Sequence, residues 1–402
     1  MSGIRDFRIQ DPRVSARVHL FPESVIREMT RLALQHGAVN LAQGFPDWNP
    51  PPEIVEAARQ ALLGDHNQYS VTWGAPALRQ AIAEKVRWFQ GMNVDPDKHV
   101  TVTCGSTEAM MAALLAVVDP SDEVVVFEPF YENYGPDAAL SGAKLRFVEL
   151  PEERAFAVEE ESLKKAFNVH TKAVIVNTPN NPAGKVWTRD ELRLLSDLCQ
   201  DHDALVITDE IYEHILYGGR AHVAPATVPG LEDRTITISG ASKTYAMTGW
   251  RVAWLLADDN LSVALRRVHD FLTVGAPHPL QMGVAHALRL PRTYYDQLAR
   301  DYDVKRKLTL AMLKDAGFDA IDPQGAYYTM ARFQGVDAPA QAKRDDRMFA
   351  EWLVKEKGVA VVPGSSFYSD PVRGHGLVRF NFSKREETIR KAAERLGAKR
   401  GA

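Results

Sequence analysis

The sequence predicts an α/β protein: a mainly parallel sheet covered by helices, with a smaller α+β lobe. Three observations carry that prediction. From about residue 100, short β-rich runs alternate with helical stretches, the order expected of strands joined by crossover helices. The runs are apolar almost throughout, as in strands buried on both faces, whereas half-exposed antiparallel strands alternate with polar residues. From about Pro291 the pattern changes to a long charged helical stretch, followed by mixed helices and short strands.

Along the chain, Phe21 to Gln35 reads as an amphipathic helix ahead of the irregular stretch GFPDWNPPP, so the amino-terminal arm is expected to pack with the carboxy-terminal lobe. HVTVTC is the first strand. STEAMMAALLAVV follows as a helix whose apolar run, Ala109 to Val118, is too short for the ~18 to 20 residues that span a bilayer. EVVVF, AVIVN, ALVITDE, TITIS and RVAWLL are further strands. A helix over Pro291 to Leu310 opens the second lobe, whose strands are AYYTMARF, VAVVP and LVRFNF. The expected division is an arm at 1–45, a large domain at 46–286 and a small domain at 287–402.

With 402 residues, 45% hydrophobic and 25% charged, the composition is that of a soluble globular protein large enough for two domains. The net charge of −4 provides no field toward nucleic acid or anionic membranes. Cys104 and Cys199 cannot build a disulfide framework, and no Cys/His spacing suggests a zinc site, so a reducing, cytoplasmic setting and no metal are expected. The opening MSGIRDFRIQDPR is charged and lacks the apolar run of a secretory signal.

In open parallel sheets, ligands bind beyond the carboxyl ends of the strands, so the residues after each run are the ones to inspect. After HVTVTC, Gly105, Ser106 and Thr107 open a helix, which suits a phosphate; an ordinary helix cap is the other reading. After EVVVF, Tyr131 can stack on a flat ligand or simply pack in the core. Asn180 and Asn181, set between prolines, offer amide donors. Asp209 and Tyr212 place an acid and a phenol at the next strand tip. Nearby Glu210, Glu213 and His214 resemble a metal cluster but are read as a solvated helix face.

Lys243 and Arg251 follow the fifth run. Ser242 and Thr237 stand where a P-loop needs glycines, which excludes ATP-type binding there. A lysine at a strand end is instead a candidate for Schiff-base chemistry. Together these are the parts of a pyridoxal 5′-phosphate site: a helix amino terminus and an arginine for phosphate, an aromatic for the ring face, an amide and a phenol for the ring oxygen, an acid for the ring nitrogen and a lysine for the aldehyde.

With these residues in place, the chain resembles the fold-type I, class I/II aminotransferases along nearly its whole length, in AQGFPD (Ala42 to Asp47), NQY (Asn67 to Tyr69), NTPNNPAG, DEIY, SKTYAMTGWR and VRFNFS. It is similar to kynurenine, glutamine, methionine and aspartate transaminases. The resemblance implies a seven-stranded, mainly parallel sheet sandwiched by helices, with pyridoxal 5′-phosphate in the large domain. It implies that Lys243 forms the Schiff base and moves the proton between Cα and C4′, that Asp209 pairs with the pyridine nitrogen, and that Asn181 and Tyr212 bond the ring oxygen while Tyr131 stacks. Arg251, the turn at Gly105, Ser106 and Thr107, and a serine would hold the phosphate. Many relatives place that serine three residues before the lysine, where this chain has Gly240, leaving Ser239 and Ser242 as candidates. Arg379 would grip the substrate α-carboxylate beneath the backbone of Gly44. Tyr69 would reach the phosphate of a neighbouring subunit, which implies a homodimer with shared sites.

The expected activity is transfer of an amino group between an L-amino acid and a 2-oxo acid by a ping-pong mechanism. A cysteine-conjugate β-lyase and a non-catalytic ligand-binding or regulatory descendant are the alternatives. Many kynurenine and glutamine transaminases carry an aromatic–His pair where this chain reads Thr273-Val274-Gly275-Ala276-Pro277, so the substrate pocket is expected to differ in shape.

Overall fold

The structure, a computed structural model, describes residue 11 and residues 13–397; the charged segment at residues 1–10 and the last five residues lie outside them. Seven strands form the main sheet: β1 (Val100–Thr103), β2 (Glu123–Glu128), β3 (Lys144–Glu149), β4 (Thr171–Asn177), β5 (Leu205–Asp209), β6 (Thr235–Gly240) and β7 (Ala253–Leu256). Their spatial order is β1-β7-β6-β5-β4-β2-β3. Every pairing is parallel except those of β7, which runs antiparallel to β1 and β6.

Six of these strands coincide with the apolar runs. The seventh, β3, does not: it lies at the sheet edge, where only Val148 is buried while Lys144, Phe147 and Glu149 face water. With three of its six residues exposed, β3 carries no continuous apolar signal, unlike β1 at the opposite edge, which is buried throughout.

Helix α1 (Val25–Gln35) begins at Ser24, whose hydroxyl accepts from the Arg27 amide at 3.3 Å; Phe21 and Pro22 remain outside it. Its apolar face, Val25, Ile26, Met29 and Ala33, shares a core with Phe318, Phe349 and Phe380 of the second lobe. Helix α2 (Ser106–Val117) is apolar on nearly every side, because the sheet residues Ile236 and Ile238 lie on one flank and Leu265 of the Asp259–Thr273 helix on another. Helix α3 (Tyr134–Ser141) follows β2, and the long helix α4 (Arg292–Asp315) leads into the second lobe. There β8 (Asp319–Ala320), β9 (Tyr328–Arg332), β10 (Val362–Pro363) and β11 (Leu377–Asn381) pair antiparallel in the order β10-β11-β9-β8. The central strands β4, β5 and β6 therefore deliver Asn181, Asp209 and Lys243 at one edge, and β11 brings Arg379 to meet them.

Candidate active site

Beyond Gly240, the short helix Ala241–Thr244 turns Lys243 back across the strand tips. Its Nζ donates to the Gly44 carbonyl at 3.0 Å and lies 5.8 Å from the ring centres of Tyr212 and Tyr327. Loss of water around the amine pulls it down to about 8, assisted by Arg251 and Arg379 and opposed by Asp209. A lysine in that range supplies free amine near neutral pH, as a nucleophile or base must.

Asp209 ends β5 with its carboxyl buried. Burial pushes its pKa up, and three groups hold it down: the Tyr134 hydroxyl, which donates to Oδ2 at 2.9 Å, the Ile211 amide and the nearby Lys243. Tyr134 keeps its own proton because burial and Asp209 raise its pKa well above the ordinary phenol value. It is thus a donor toward the Asp209 carboxyl, whose pKa burial still leaves above the ordinary carboxylate value. Tyr134→Phe removes a contribution that lowers the Asp209 pKa, so Asp209 takes up its proton at higher pH. The acidic limb of the kcat/KM profile is expected to move upward, and an unchanged limb would remove Tyr134 from this role.

At the other end of the cavity, α2 starts at Gly105 without a side-chain cap, so its first amides are free to meet an anion. Arg251 closes that side, its Nη1 donating to the Thr248 carbonyl at 3.0 Å. Gly105 has φ of +85°, and a Cβ there would lie 2.2 Å from Arg251 Nη2, so only glycine admits the guanidinium. Ser242 lines the same cavity. Ser239 does not: its hydroxyl donates to Glu213 Oε1 at 2.5 Å, within the core.

Arg379 is fully buried, with Nη1 donating to Asn181 Oδ1 at 2.7 Å and Nη2 to the Ala42 carbonyl at 2.6 Å, while its buried Nε has no partner among the described residues. The guanidinium stacks 4.3 Å from the Tyr328 ring centre. Because Asn181 turns its oxygen to Arg379, its amide N–H groups remain as donors for a ligand oxygen. Asn177 fixes this loop, its side chain accepting from the Asn181 backbone N–H at 2.7 Å and donating to the Asp209 carbonyl at 2.8 Å. The Tyr212 and Tyr328 hydroxyls lie 3.0 Å apart. A Cβ on Gly44 would fall 1.8 Å from the Tyr328 hydroxyl, which explains the glycine.

Gly44, Ser106, Thr107, Tyr131, Asn181, Asp209, Tyr212, Ser242, Lys243, Arg251 and Arg379 thus line one cavity of about 300 Å³, with Gly105 directly behind Arg251. Tyr69 stands apart, 87% exposed. A larger cavity of about 800 Å³ opens on another side of Lys243, past Trp48 and Tyr302, but neither Asp209 nor Arg379 lines it. The fit is to a flat, phosphorylated ligand with a ring nitrogen at Asp209 and a reactive carbon at Lys243, beside a carboxylate at Arg379.

Sequence reasoning missed the contacts of Tyr134, Asn177 and Tyr328. Tyr134, three residues after Tyr131 and opening a helix, had a positional signal; Tyr328, inside an apolar strand, had none. One expectation is corrected. Glu210 and Glu213 are buried, not a solvated helix face. They approach His222, and not His214, within 4.8 Å; Lys85 lies 2.5 Å from Glu213, His222 Nε2 lies 2.5 Å from Glu210 Oε2, and Gln90, Ser239 and Thr208 donate further hydrogen bonds. Buried carboxylates persist only with such partners.

The sequence profile of the family described as aminotransferase class I and II matches residues 36–396. Human kynurenine–oxoglutarate transaminase 1 is 37% identical over 396 residues, covering 92% of this chain and 94% of its own. The methionine aminotransferase of Escherichia coli is 37% identical over 373 residues, covering 93% and 95%. The solved structure of N-succinyldiaminopimelate aminotransferase from Mycobacterium tuberculosis superposes with a TM-score of 0.91 at 36% identity, covering 95% of this chain and 99% of that one.

Proposed function

The chain belongs to the aminotransferase class I and II family, and on that premise we propose that it moves an amino group between an L-amino acid and a 2-oxo acid in two half-reactions, with Lys243 as the group that moves the proton at Cα. The enzyme uses pyridoxal 5′-phosphate, which, when bound, supplies the electron-poor ring that accepts the electron pair left at Cα. The observation that carries the assignment is the placement of Lys243, its amine drawn down to about 8, in one cavity with Asp209 and Arg379.

The residues divide the work. Arg379 and the Gly44 backbone hold the substrate α-carboxylate and orient Cα toward Lys243 Nζ. Lys243 Nζ would take the Cα proton and deliver it to C4′ of the cofactor. Asp209, which accepts from the Tyr134 hydroxyl, would pair with the ring nitrogen and favour its protonated form. Asn181 and Tyr212 donate to the ring oxygen, and Tyr131 covers the ring face. Ser106, Thr107, Ser242 and Arg251 take the phosphate; Ser239 is left to the Glu213 network.

We extend the reading to a homodimer with Tyr69 serving the neighbouring site. Its support is an exposed apolar surface where the segment of Tyr69 and Val71 adjoins that of Phe271, Leu272 and Val274, with His278 Nδ1 3.2 Å from the Gln68 carbonyl. The same reading divides the chain into an arm at 1–45, a large domain at 46–286 and a small domain at 287–402. A cytoplasmic setting agrees with the two free cysteines, and no helix among the described residues is long and apolar enough to cross a membrane.

The test is the visible spectrum of the holoenzyme as L-amino acids are added one at a time, followed by assay of the products. The expected result is loss of the cofactor band with particular donors and appearance of a new amino acid once a 2-oxo acid is supplied. Release of pyruvate and ammonia from cysteine conjugates without any amino transfer would replace the aminotransferase by a lyase.

A further inference from the structure

The segment from Ala42 to Asp47 carries Gly44 into the cavity, with Gln43 and Phe45 beside it in the lining. It belongs to no strand or helix, and side chains hold it instead, one carbonyl after another. Ala42 accepts from Arg379 Nη2 at 2.6 Å and Gln43 from Asn381 Nδ2 at 2.7 Å, both donors lying on β11. Gly44 accepts from Lys243 Nζ and from the Tyr327 hydroxyl, each at 3.0 Å, and Phe45 accepts from Lys384 Nζ at 2.8 Å. The segment ends at Asp47, whose carboxylate takes the Arg385 backbone N–H at 2.6 Å and the Thr388 hydroxyl at 2.7 Å.

Two of these donors are also needed by the reaction. Arg379 takes the substrate carboxylate, and Lys243 must leave the Gly44 carbonyl to reach the reacting carbon. Neither can hold the segment unaided through a turnover. Asn381, Tyr327 and Lys384 have no part in the chemistry, so their carbonyls stay held throughout. Of these three, Lys384 alone is a cation. It is buried, its Nζ lies 4.2 Å from the Phe45 ring centre, and it makes no ion pair among the described residues. Burial pulls its ammonium down to about 8, opposed by Asp47, so near neutral pH it still donates as a cation, a stronger bond than a neutral amide or phenol makes. Methionine would fill the same space without the cost of burying a charge, so packing does not account for the lysine.

We propose that Lys384 is a positioning residue: by holding the Phe45 carbonyl it keeps the Gly44 peptide closed over the substrate carboxylate while Arg379 and Lys243 are engaged with the reactants. The effect on substrate rests on the aminotransferase reading; the effect on the segment does not.

The experiment is hydrogen exchange of residues 41–49 in the holoenzyme, read by mass spectrometry, beside KM and kcat for each L-amino acid that the parent accepts. Lys384→Met removes the donor and keeps the apolar stem. Exchange across the segment is expected to quicken about 10-fold or more, the worth of a hydrogen bond from a charged group, with KM rising about 10-fold for every donor and kcat changing by less than about threefold. Lys384→Gln, which lacks the charge and the reach, carries the same expectation should the methionine variant fail to fold. Unchanged exchange at residues 41–49, quicker exchange with KM unmoved, or a loss confined to kcat would overturn the proposal. So would a lowered thermal midpoint as the only change, the result of a contact that merely joins the lobes. Failure of the aminotransferase reading looks different: no L-amino acid would react with the parent, while exchange of the segment would still respond to Lys384→Met.

Discussion

Lys243→Ala is expected to lower turnover by about 10⁴-fold or more while the protein still retains cofactor. The size follows from the position of the amine. It is the basic side chain at the strand tips whose pKa has been brought down to about 8, and its Nζ is fixed on the Gly44 carbonyl at 3.0 Å beside the carboxylate clamp. Alanine removes both the covalent attachment point and the proton carrier. Arg251, the free amides of α2 and Asp209 remain, so retention of cofactor through dialysis should fall only in part. Single-turnover absorbance changes separate the two effects. Turnover equal to that of the parent would refute the assignment, whereas loss of cofactor and turnover together in a folded variant would show that Lys243 dominates binding too.

Arg379→Met should lower kcat/KM about 10²- to 10³-fold for every amino donor, whatever its side chain. Arg379 is fully buried, stacked on Tyr328 and 5.0 Å from the Phe367 ring centre, and its removal strands both the substrate carboxylate and the Asn181 oxygen. Methionine keeps the apolar contacts of the stem, and loss of a buried cation need not weaken the fold, so the thermal midpoint and cofactor content should remain near those of the parent. Arg379→Lys should recover little, because a point charge does not reproduce the fork that spans Asn181, Ala42 and the substrate. A decrease confined to acidic donors would remove Arg379 from the α-carboxylate role.

The residues that emerge from the tips of parallel strands were legible in the sequence. Asn181, Asp209 and Lys243 follow runs whose apolar character marks them as central strands, and the glycines at 44 and 105 sit in short motifs around them. Chain order fixes these features, because a buried strand presents its next residues at the sheet edge wherever the remainder of the chain goes. What the sequence left undecided depends on contacts between distant segments. Edge strand β3 is half exposed and gave no run. Glu210 and Glu213 looked solvated until Lys85 was brought beneath them. Ser239 and Ser242 are equivalent in sequence, and only the network at Glu213 turns the first away. The clamp itself joins Arg379 to Asn181 across 198 residues, and Lys243 to Gly44 across 199. The sequence by itself determined six of the seven strands of the main sheet, the family's cofactor chemistry and the side chains offered to it, since those are set by local pattern. The tertiary structure decided which side chains meet, Tyr134 on Asp209 and Arg379 on Asn181 among them, because packing of the arm and the second lobe against the sheet sets those distances and no local periodicity encodes them.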